Sequence, residues 1–192
     1  MTLNAYGREA TDRLILPIAR LMVRAGVTAN WLTFSGTMGA FIGVAVVLAG
    51  QPVAGAVVLA FATAVDAFDG AVARIRGSQS AFGSFYDSVA DRISDAAIFG
   101  AVAWLVRDDP LLFGVAIVAL TGAQITSYIR AKAESLGKNA TVGILERAER
   151  IIIIVLAIGF GLVPIALWVL AIGTLVTIAQ RFRAVLRQVR TT

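Results

Sequence analysis

Residues 31–49 read WLTFSGTMGAFIGVAVVLA and contain no charged side chain. A helix that crosses a bilayer needs about 20 mostly apolar residues, so this run predicts a membrane-spanning helix. The rest of the chain has the same character, since 58% of its 192 residues are hydrophobic and only 15% are charged. This composition excludes a disordered chain and disfavours an ordinary soluble domain.

Apolar runs of this kind recur along the chain and predict an all-α membrane protein. We expect one domain over residues 1–192, with a bundle of six transmembrane helices inside residues 30–181. The six predicted spans lie at about 30–49, 53–73, 84–106, 110–130, 148–163 and 165–181.

The N-terminal residues 1–25 have a different pattern. Apolar side chains such as Leu14, Ile18 and Leu21 recur at helical spacing, with arginines between them. This alternation predicts an amphipathic helix that lies in the membrane interface.

The basic residues predict the orientation. All of the 17 Lys and Arg except Arg92 and Arg107 fall in segments that a six-span chain places on one side. The positive-inside rule then predicts a multi-pass protein of the cell membrane with both termini in the cytoplasm. The same placement explains the sequence pI of about 10.4 without a nucleic-acid partner.

Residues 66–91, DAFDGAVARIRGSQSAFGSFYDSVAD, carry the most informative polar groups. Asp66 and Asp69 are three residues apart, and Asp87 and Asp91 are four apart, so each pair shares a helix face. A turn near residues 76–79 should bring the two pairs together at the cytoplasmic side. Because the chain has no His and no Cys, acid–base or metal chemistry must rest on such carboxylates.

Four clustered carboxylates in a membrane must protonate, pair with bases or bind cations. Oxygen ligands favour Mg²⁺ or Mn²⁺, and four of them suffice for two ions, the usual apparatus for displacement at phosphorus. The small Gly70 and Ala73 leave room beside the acids, and Arg74 offers a charged fork to a phosphate. Gly83 opens the next helix in the same way. We leave Asp95, one turn deeper, outside this site.

The pattern D-x2-D-G-x2-A-R-x8-G-x3-D-x3-D, from Asp66 to Asp91, resembles the signature of the CDP-alcohol phosphatidyltransferase family. The resemblance implies six transmembrane helices around a cytoplasm-facing cavity, usually in a homodimer. It also implies transfer of a phosphatidyl group from CDP-diacylglycerol to a polar alcohol, with release of CMP.

The resemblance also implies roles for individual residues. Asp66, Asp69, Asp87 and Asp91 would be metal ligands, and Asp91 would also be the catalytic base. An Asn-x-Leu-Thr element of the family stands at Asn30–Thr33, although Ala29 replaces the proline that usually precedes it. The residues expected to contact CDP-diacylglycerol are Asn30, Trp31, Leu32, Gly70, Ala73, Arg74, Ser80 and Gly83.

Basic residues at the predicted cytoplasmic level suit an acceptor that carries a phosphate. The candidates are Arg130, Lys132, Arg147, Arg150, Arg181 and Arg183. The stretches SYIRAKAE and ERAER resemble the actinobacterial phosphatidylinositol phosphate synthases of this family, which implies inositol 1-phosphate as acceptor. Glycerol 3-phosphate, as in a phosphatidylglycerophosphate synthase, is the alternative. A divalent-cation transporter is the rival from another class, because transporters also gather intramembrane acids.

Overall fold

A computed structural model describes residues 15–190, and the described chain is built from helices joined by short turns, except for a longer irregular loop over residues 136–146. The prediction of an all-α fold is therefore confirmed. Helix α1 covers residues 15–24 of the described chain. The later helices are α2 (Ala29–Leu48), α3 (Pro52–Asp66), α4 (Asp69–Arg76), α5 (Ala81–Leu105), α6 (Pro110–Ser135), α7 (Arg147–Phe160) and α8 (Val163–Arg190).

Local sequence signals set where these helices begin and end. The Thr28 and Ser80 hydroxyls accept hydrogen bonds from the Trp31 and Gly83 amides, which caps α2 and α5. The Asp109 carboxylate caps α6 and precedes Pro110, the first residue of that helix. Gly77 ends α4 with a φ of 63°, a left-handed conformation that favours glycine.

Four helical stretches are long and apolar enough to cross a membrane: Ala29–Leu48, Pro52–Arg76, Pro110–Ser135 and Val163–Arg190. The protein is therefore an integral membrane protein. Helix α5 has sufficient length but carries a row of charged side chains, and α7 has only 14 residues. That α5 and α7 also cross the membrane, which would give six spans in all, stays a prediction from the sequence.

The predicted interfacial helix at residues 1–25 falls partly outside the described residues, which begin at residue 15. Within α1, Ala19 is buried against Leu32, Ala71 and Val72 in a small apolar cluster. This packing connects α1 to α2 and α4, while the amphipathic character of the whole segment stays a prediction.

The structure differs from the expected helix boundaries at two places. The predicted spans 148–163 and 165–181 place the break between the last two helices at Pro164, but α7 ends before Gly161, whose φ is 71°, and Pro164 lies in the first turn of α8. Proline is tolerated there because first-turn amides have no partner within the helix. The expected continuous helix over 53–73 is also interrupted by a short turn at residues 67–68, between Asp66 and Asp69.

Packing places α2 at the centre of the site. Helix α3 packs most extensively on α2, and so does α5, while α6 packs on α8 and α3 also on α7. The acid-bearing ends of α3 and α5 are thus held by a shared neighbour rather than by direct packing on each other. A large apolar core formed by side chains such as Leu59, Phe99, Ile154 and Leu167 lies beyond this polar end of the bundle.

Candidate active site

Three of the four predicted carboxylates converge. Asp66, Asp69 and Asp87 each offer one oxygen, and these three atoms all lie within 4.8 Å of one another. The Thr33 hydroxyl donates to Asp69 Oδ2 at 2.7 Å, which orients that carboxylate from α2. Three half-buried carboxylates at this separation match the hard oxygen donors that Mg²⁺ and Mn²⁺ prefer, so an aspartate cluster that could bind a divalent metal is present.

Asp91 lies one helical turn after Asp87 and is joined to this cluster through Arg147. Arg147 Nη1 is 2.8 Å from Asp91 Oδ1 and 3.0 Å from Asp66 Oδ2. Arg92 Nη2 lies 3.6 Å from the other Asp91 oxygen. The sequence predicted four aspartates together but did not predict that an arginine of α7 would be placed between two of them.

A first cavity, of about 230 Å³, opens beside the carboxylates between α2, α4 and the start of α5. Asp69 and Asp87 are among the residues that line it. Six of the eight residues expected to contact CDP-diacylglycerol line it: Asn30, Gly70, Ala73, Arg74, Ser80 and Gly83.

The other two residues of that group, Trp31 and Leu32, do not line the first cavity. The Trp31 side chain is 61% exposed and stacks on Phe34, with ring centroids 5.5 Å apart. Leu32 is buried in the small cluster beneath α1. Thr33 lines the cavity instead, because the helical rotation of α2 turns residues 30 and 33 to the same face.

Small residues give the first cavity its shape. A Cβ atom at Gly83 would lie 3.1 Å from Ser80 Oγ and 3.6 Å from Asn30 Oδ1. A side chain there would therefore enter the space between the cap of α5 and the first turn of α2. The cavity also has polar residues that the sequence did not predict, Ser78 and Gln79 in the turn and Ser84 in α5.

A second and larger cavity, of about 830 Å³, lies on the other side of α5. It is lined by four of the six residues expected at the acceptor phosphate, Arg130, Arg147, Arg150 and Arg181. Lys132 and Arg183 are exposed and lie outside this lining.

The second cavity also has polar residues that the sequence reasoning missed. Among them are Gln124, Ser127, Tyr128, Glu134 and Glu146. Their helical spacing with Arg130 along α6, at 124, 127, 128 and 134, was a signal that could have identified most of them.

The two cavities meet at the carboxylate cluster. Ser84 and Asp87 line both of them, and Asp91 lines the second. A group bound beside the small residues of the first cavity can therefore reach a nucleophile bound in the basic second cavity. This arrangement suits direct transfer of a group from one ligand to another.

Comparison with known proteins agrees with this geometry. The sequence model of the CDP-alcohol phosphatidyltransferase family matches residues 26–179. The phosphatidylinositol phosphate synthase of Mycolicibacterium smegmatis is 37% identical over 191 residues, which cover 93% of this chain and 86% of the relative.

Two crystal structures of phosphatidylinositol phosphate synthase from Mycobacterium tuberculosis are also similar, each at 34% identity and a TM-score of 0.81. One has CDP-DAG bound, and the match covers 90% of this chain and 94% of that one. The other is a complex with manganese and citrate, with 89% and 88% covered. Because the family model matches residues 26–179 and a relative 37% identical aligns over 93% of the chain, the chain belongs to the CDP-alcohol phosphatidyltransferase family.

Proposed function

We propose that this protein transfers the phosphatidyl group of CDP-diacylglycerol to inositol 1-phosphate, giving phosphatidylinositol phosphate and CMP. The observation that carries the proposal is the meeting of a small-residue cavity and a basic cavity at Asp87. The similar proteins named above, one of them with CDP-DAG bound, support it.

The nucleotide end of CDP-diacylglycerol binds in the first cavity in this proposal. Gly70, Ala73 and Gly83 let it approach the helices closely, and Arg74 pairs with a phosphate. Asn30 and Ser80 offer polar side chains from the two sides of the cavity. Leu32 supports this wall from behind, while the exposed position of Trp31 suits contact with the lipid.

The aspartates hold divalent metal in this proposal. Asp66, Asp69 and Asp87 are the ligands that the geometry favours, and Asp91 completes the set for two ions, Mg²⁺ or Mn²⁺. Bound metal would neutralise the diphosphate and stabilise the departing CMP. The Thr33 hydrogen bond keeps the Asp69 carboxylate oriented for this task.

Asp91 is the proposed catalytic base. It lines the second cavity one turn from Asp87, and no histidine or cysteine is present to replace it. As the acceptor oxygen forms its bond to the phosphatidyl phosphorus, the bond from that phosphorus to the CMP oxygen breaks and the hydroxyl proton passes to the Asp91 carboxylate. A single displacement of this kind needs no covalent enzyme intermediate.

The acceptor phosphate binds among the arginines of the second cavity. Arg130 and Arg147 are partly exposed, with 45% and 29% of their side chains accessible, and Arg150 and Arg181 lie behind them at 1% and 3%. Neutral alcohols would not need this charge, whereas an anionic acceptor is attracted by it. Lys132 and Arg183 act from outside the lining, by drawing anions to this surface.

We also propose how the protein is arranged in the membrane. One domain spans the cell membrane six times, with α5 and α7 as the two more polar or shorter spans. Both termini and the active site face the cytoplasm, residues 1–25 lie in the membrane interface, and two copies form a homodimer. The excess of Lys and Arg at one end of the bundle supports this orientation.

The deciding experiment measures CMP release by the purified protein in detergent. We expect release from CDP-diacylglycerol only with Mg²⁺ or Mn²⁺ and an acceptor, and faster with inositol 1-phosphate than with glycerol 3-phosphate. Asp91→Asn should lower the rate by at least about 100-fold, because a positioned base contributes that much. Asp108→Asn is the matched control, since the Asp108 side chain is 87% exposed.

Three results would contradict the proposal in different ways. Faster turnover with glycerol 3-phosphate would make the protein a phosphatidylglycerophosphate synthase. Full activity of Asp91→Asn would show that Asp91 is not the catalytic base. Metal flux into liposomes without CMP release would favour the divalent-cation transporter.

A further inference from the structure

The side chain of Asp95 is the most enclosed carboxylate of the polar network and has no place in the reaction described above. Asp95 lies in α5, one turn beyond Asp91, and is 1% exposed. It does not line either cavity. A carboxylate buried this deeply in a membrane protein is costly unless other groups compensate its charge.

Arginines from two helices provide that compensation. Arg147 Nε donates to Asp95 Oδ1 at 3.1 Å. Arg150 Nη2 lies 3.8 Å from Asp95 Oδ2, and Arg92 Nη2 lies 3.6 Å from the same oxygen. Because Arg147 and Arg150 are three residues apart on α7, one carboxylate of α5 holds two successive arginines on one face of its neighbour.

The remaining contacts of these arginines show what Asp95 balances. The Nη1 atom of Arg147 pairs with Asp66 and Asp91, two of the proposed metal ligands. Arg150 donates instead to the Leu145 carbonyl at 3.2 Å and to the Ser127 hydroxyl at 3.3 Å. Asp95 thus contacts Arg147 at a different nitrogen from the one that pairs with the metal-binding acids, and it also contacts Arg150, which lines the second cavity.

We propose that Asp95 is a positioning residue that sets the acceptor-phosphate site by holding Arg147 and Arg150 at the wall of the second cavity. The inference rests on the proposed function and adds to it a residue that determines acceptor affinity. Asp95 does not touch either substrate. Without its charge, Arg147 Nε loses its carboxylate acceptor, and the guanidinium is held only through Nη1, by Asp66 and Asp91. It then rotates out of its position at the acceptor site.

The test measures the KM for each of the two substrates separately in the Asp95 variants. In Asp95→Asn we expect the KM for inositol 1-phosphate to rise about tenfold or more, by analogy with the roughly 10- to 100-fold losses seen when a group that orients a metal ligand is removed. The KM for CDP-diacylglycerol should stay within about twofold. Asp95→Glu, which keeps the charge, should recover part of the acceptor affinity.

Two controls address a purely structural role. Ser94→Ala changes a buried side chain on the same turn of α5, and Asp108→Asn removes an exposed carboxylate that pairs with Arg107. Neither variant should change the acceptor KM. If Asp95 only supported the fold, Asp95→Asn would lower the active fraction, and therefore kcat, with both KM values unchanged, and this result would overturn the inference.

A second measurement does not require turnover. Inorganic phosphate should raise the midpoint of thermal unfolding of the unaltered protein in detergent, and raise it less in Asp95→Asn and in Asp95→Glu. Equal stabilisation of all three, or none in the unaltered protein, would overturn the inference. Absence of transfer to inositol 1-phosphate by the unaltered protein would instead overturn the proposed function, and phosphate binding would still decide the role of Asp95.

Discussion

At the scale of single residues, the site depends on side chains that orient other side chains. Thr33 shows this most simply, because its hydroxyl donates to the Asp69 carboxylate at 2.7 Å and its oxygen lies 3.2 Å from the Ala29 carbonyl oxygen. It is 2% exposed. A hydroxyl enclosed between a carboxylate and a helical carbonyl has little freedom, so it fixes the rotamer of the Asp69 side chain.

Removal of this hydroxyl should weaken metal binding. In Thr33→Val the Asp69 carboxylate loses its side-chain donor, and we expect the Mg²⁺ or Mn²⁺ concentration for half-maximal activity to rise about tenfold, as for other groups that orient metal ligands. A metal titration of CMP release measures this. Thr37→Val is the matched control one turn later, because the Thr37 hydroxyl donates to the Thr33 carbonyl and not to an aspartate among the described residues. Equal titration curves for the two variants would contradict this role of Thr33.

At the scale of helices, the position of the aspartates depends on the close approach of α2 and α3. A Cβ atom at Gly36 would lie 3.1 Å from the Asp66 Cβ, and one at Gly39 would lie 2.9 Å from the Ala62 Cβ. The small residues of the first span thus serve packing within the bundle, a common use of such residues in membranes. They bring the helix that carries Thr33 beside the helix that carries Asp66.

Enlarging a glycine at this interface should destabilise the protein. A Cβ atom at Gly55 would meet the Val47 backbone nitrogen at 2.8 Å and the Gly43 carbonyl oxygen at 2.9 Å, so one helix must shift in Gly55→Ala. Overpacking of this kind costs about 1 to 3 kcal/mol, or roughly 2 to 4 °C in unfolding midpoint per kcal/mol for a chain of this size. Thermal unfolding in detergent measures the change.

Gly114→Ala provides the matched control for this prediction. Gly114 is also helical, but nothing lies within 4 Å of its added Cβ atom. Alanine has a higher helix propensity than glycine by up to about 1 kcal/mol, so this variant should unfold at the same temperature or higher. A lower midpoint in Gly114→Ala than in Gly55→Ala would contradict the packing argument.

At the scale of the whole molecule, the proposal places the polar end of the bundle in the cytoplasm. The turns at residues 77–80 and 106–109 should then lie on opposite sides of the membrane. Because the chain has no cysteine, one introduced thiol reports one position. A membrane-impermeant maleimide should label Asp108→Cys in intact cells but label Ser78→Cys only after permeabilisation.

Gln51→Cys extends this experiment to the turn between α2 and α3. Six spans with a cytoplasmic N-terminus place residue 51 outside, together with residue 108. Labelling of Ser78→Cys in intact cells, or protection of Gln51→Cys there, would contradict the proposed topology. Both positions are exposed in the structure, so failure to label would reflect the side of the membrane rather than burial.

Much of the fold followed from local sequence patterns. Apolar runs of about 20 residues predict membrane helices, because lipid offers no hydrogen bonds to an open backbone. The spacing of Asp66, Asp69, Asp87 and Asp91 predicted a shared acidic site, because side chains three or four residues apart share a helix face. The family resemblance rested on the same residues.

The sequence alone determined the class of protein, the acidic cluster and the family, because these depend on composition and on spacing within single helices. Only the tertiary structure decided that Arg147 is placed between Asp66 and Asp91, that Asp95 holds Arg147 and Arg150, and which of the expected ligand contacts line a cavity. Those contacts join residues of α3, α5 and α7 that are far apart along the chain. Their geometry depends on the rotation and closeness of packed helices, which periodicity within one helix does not specify.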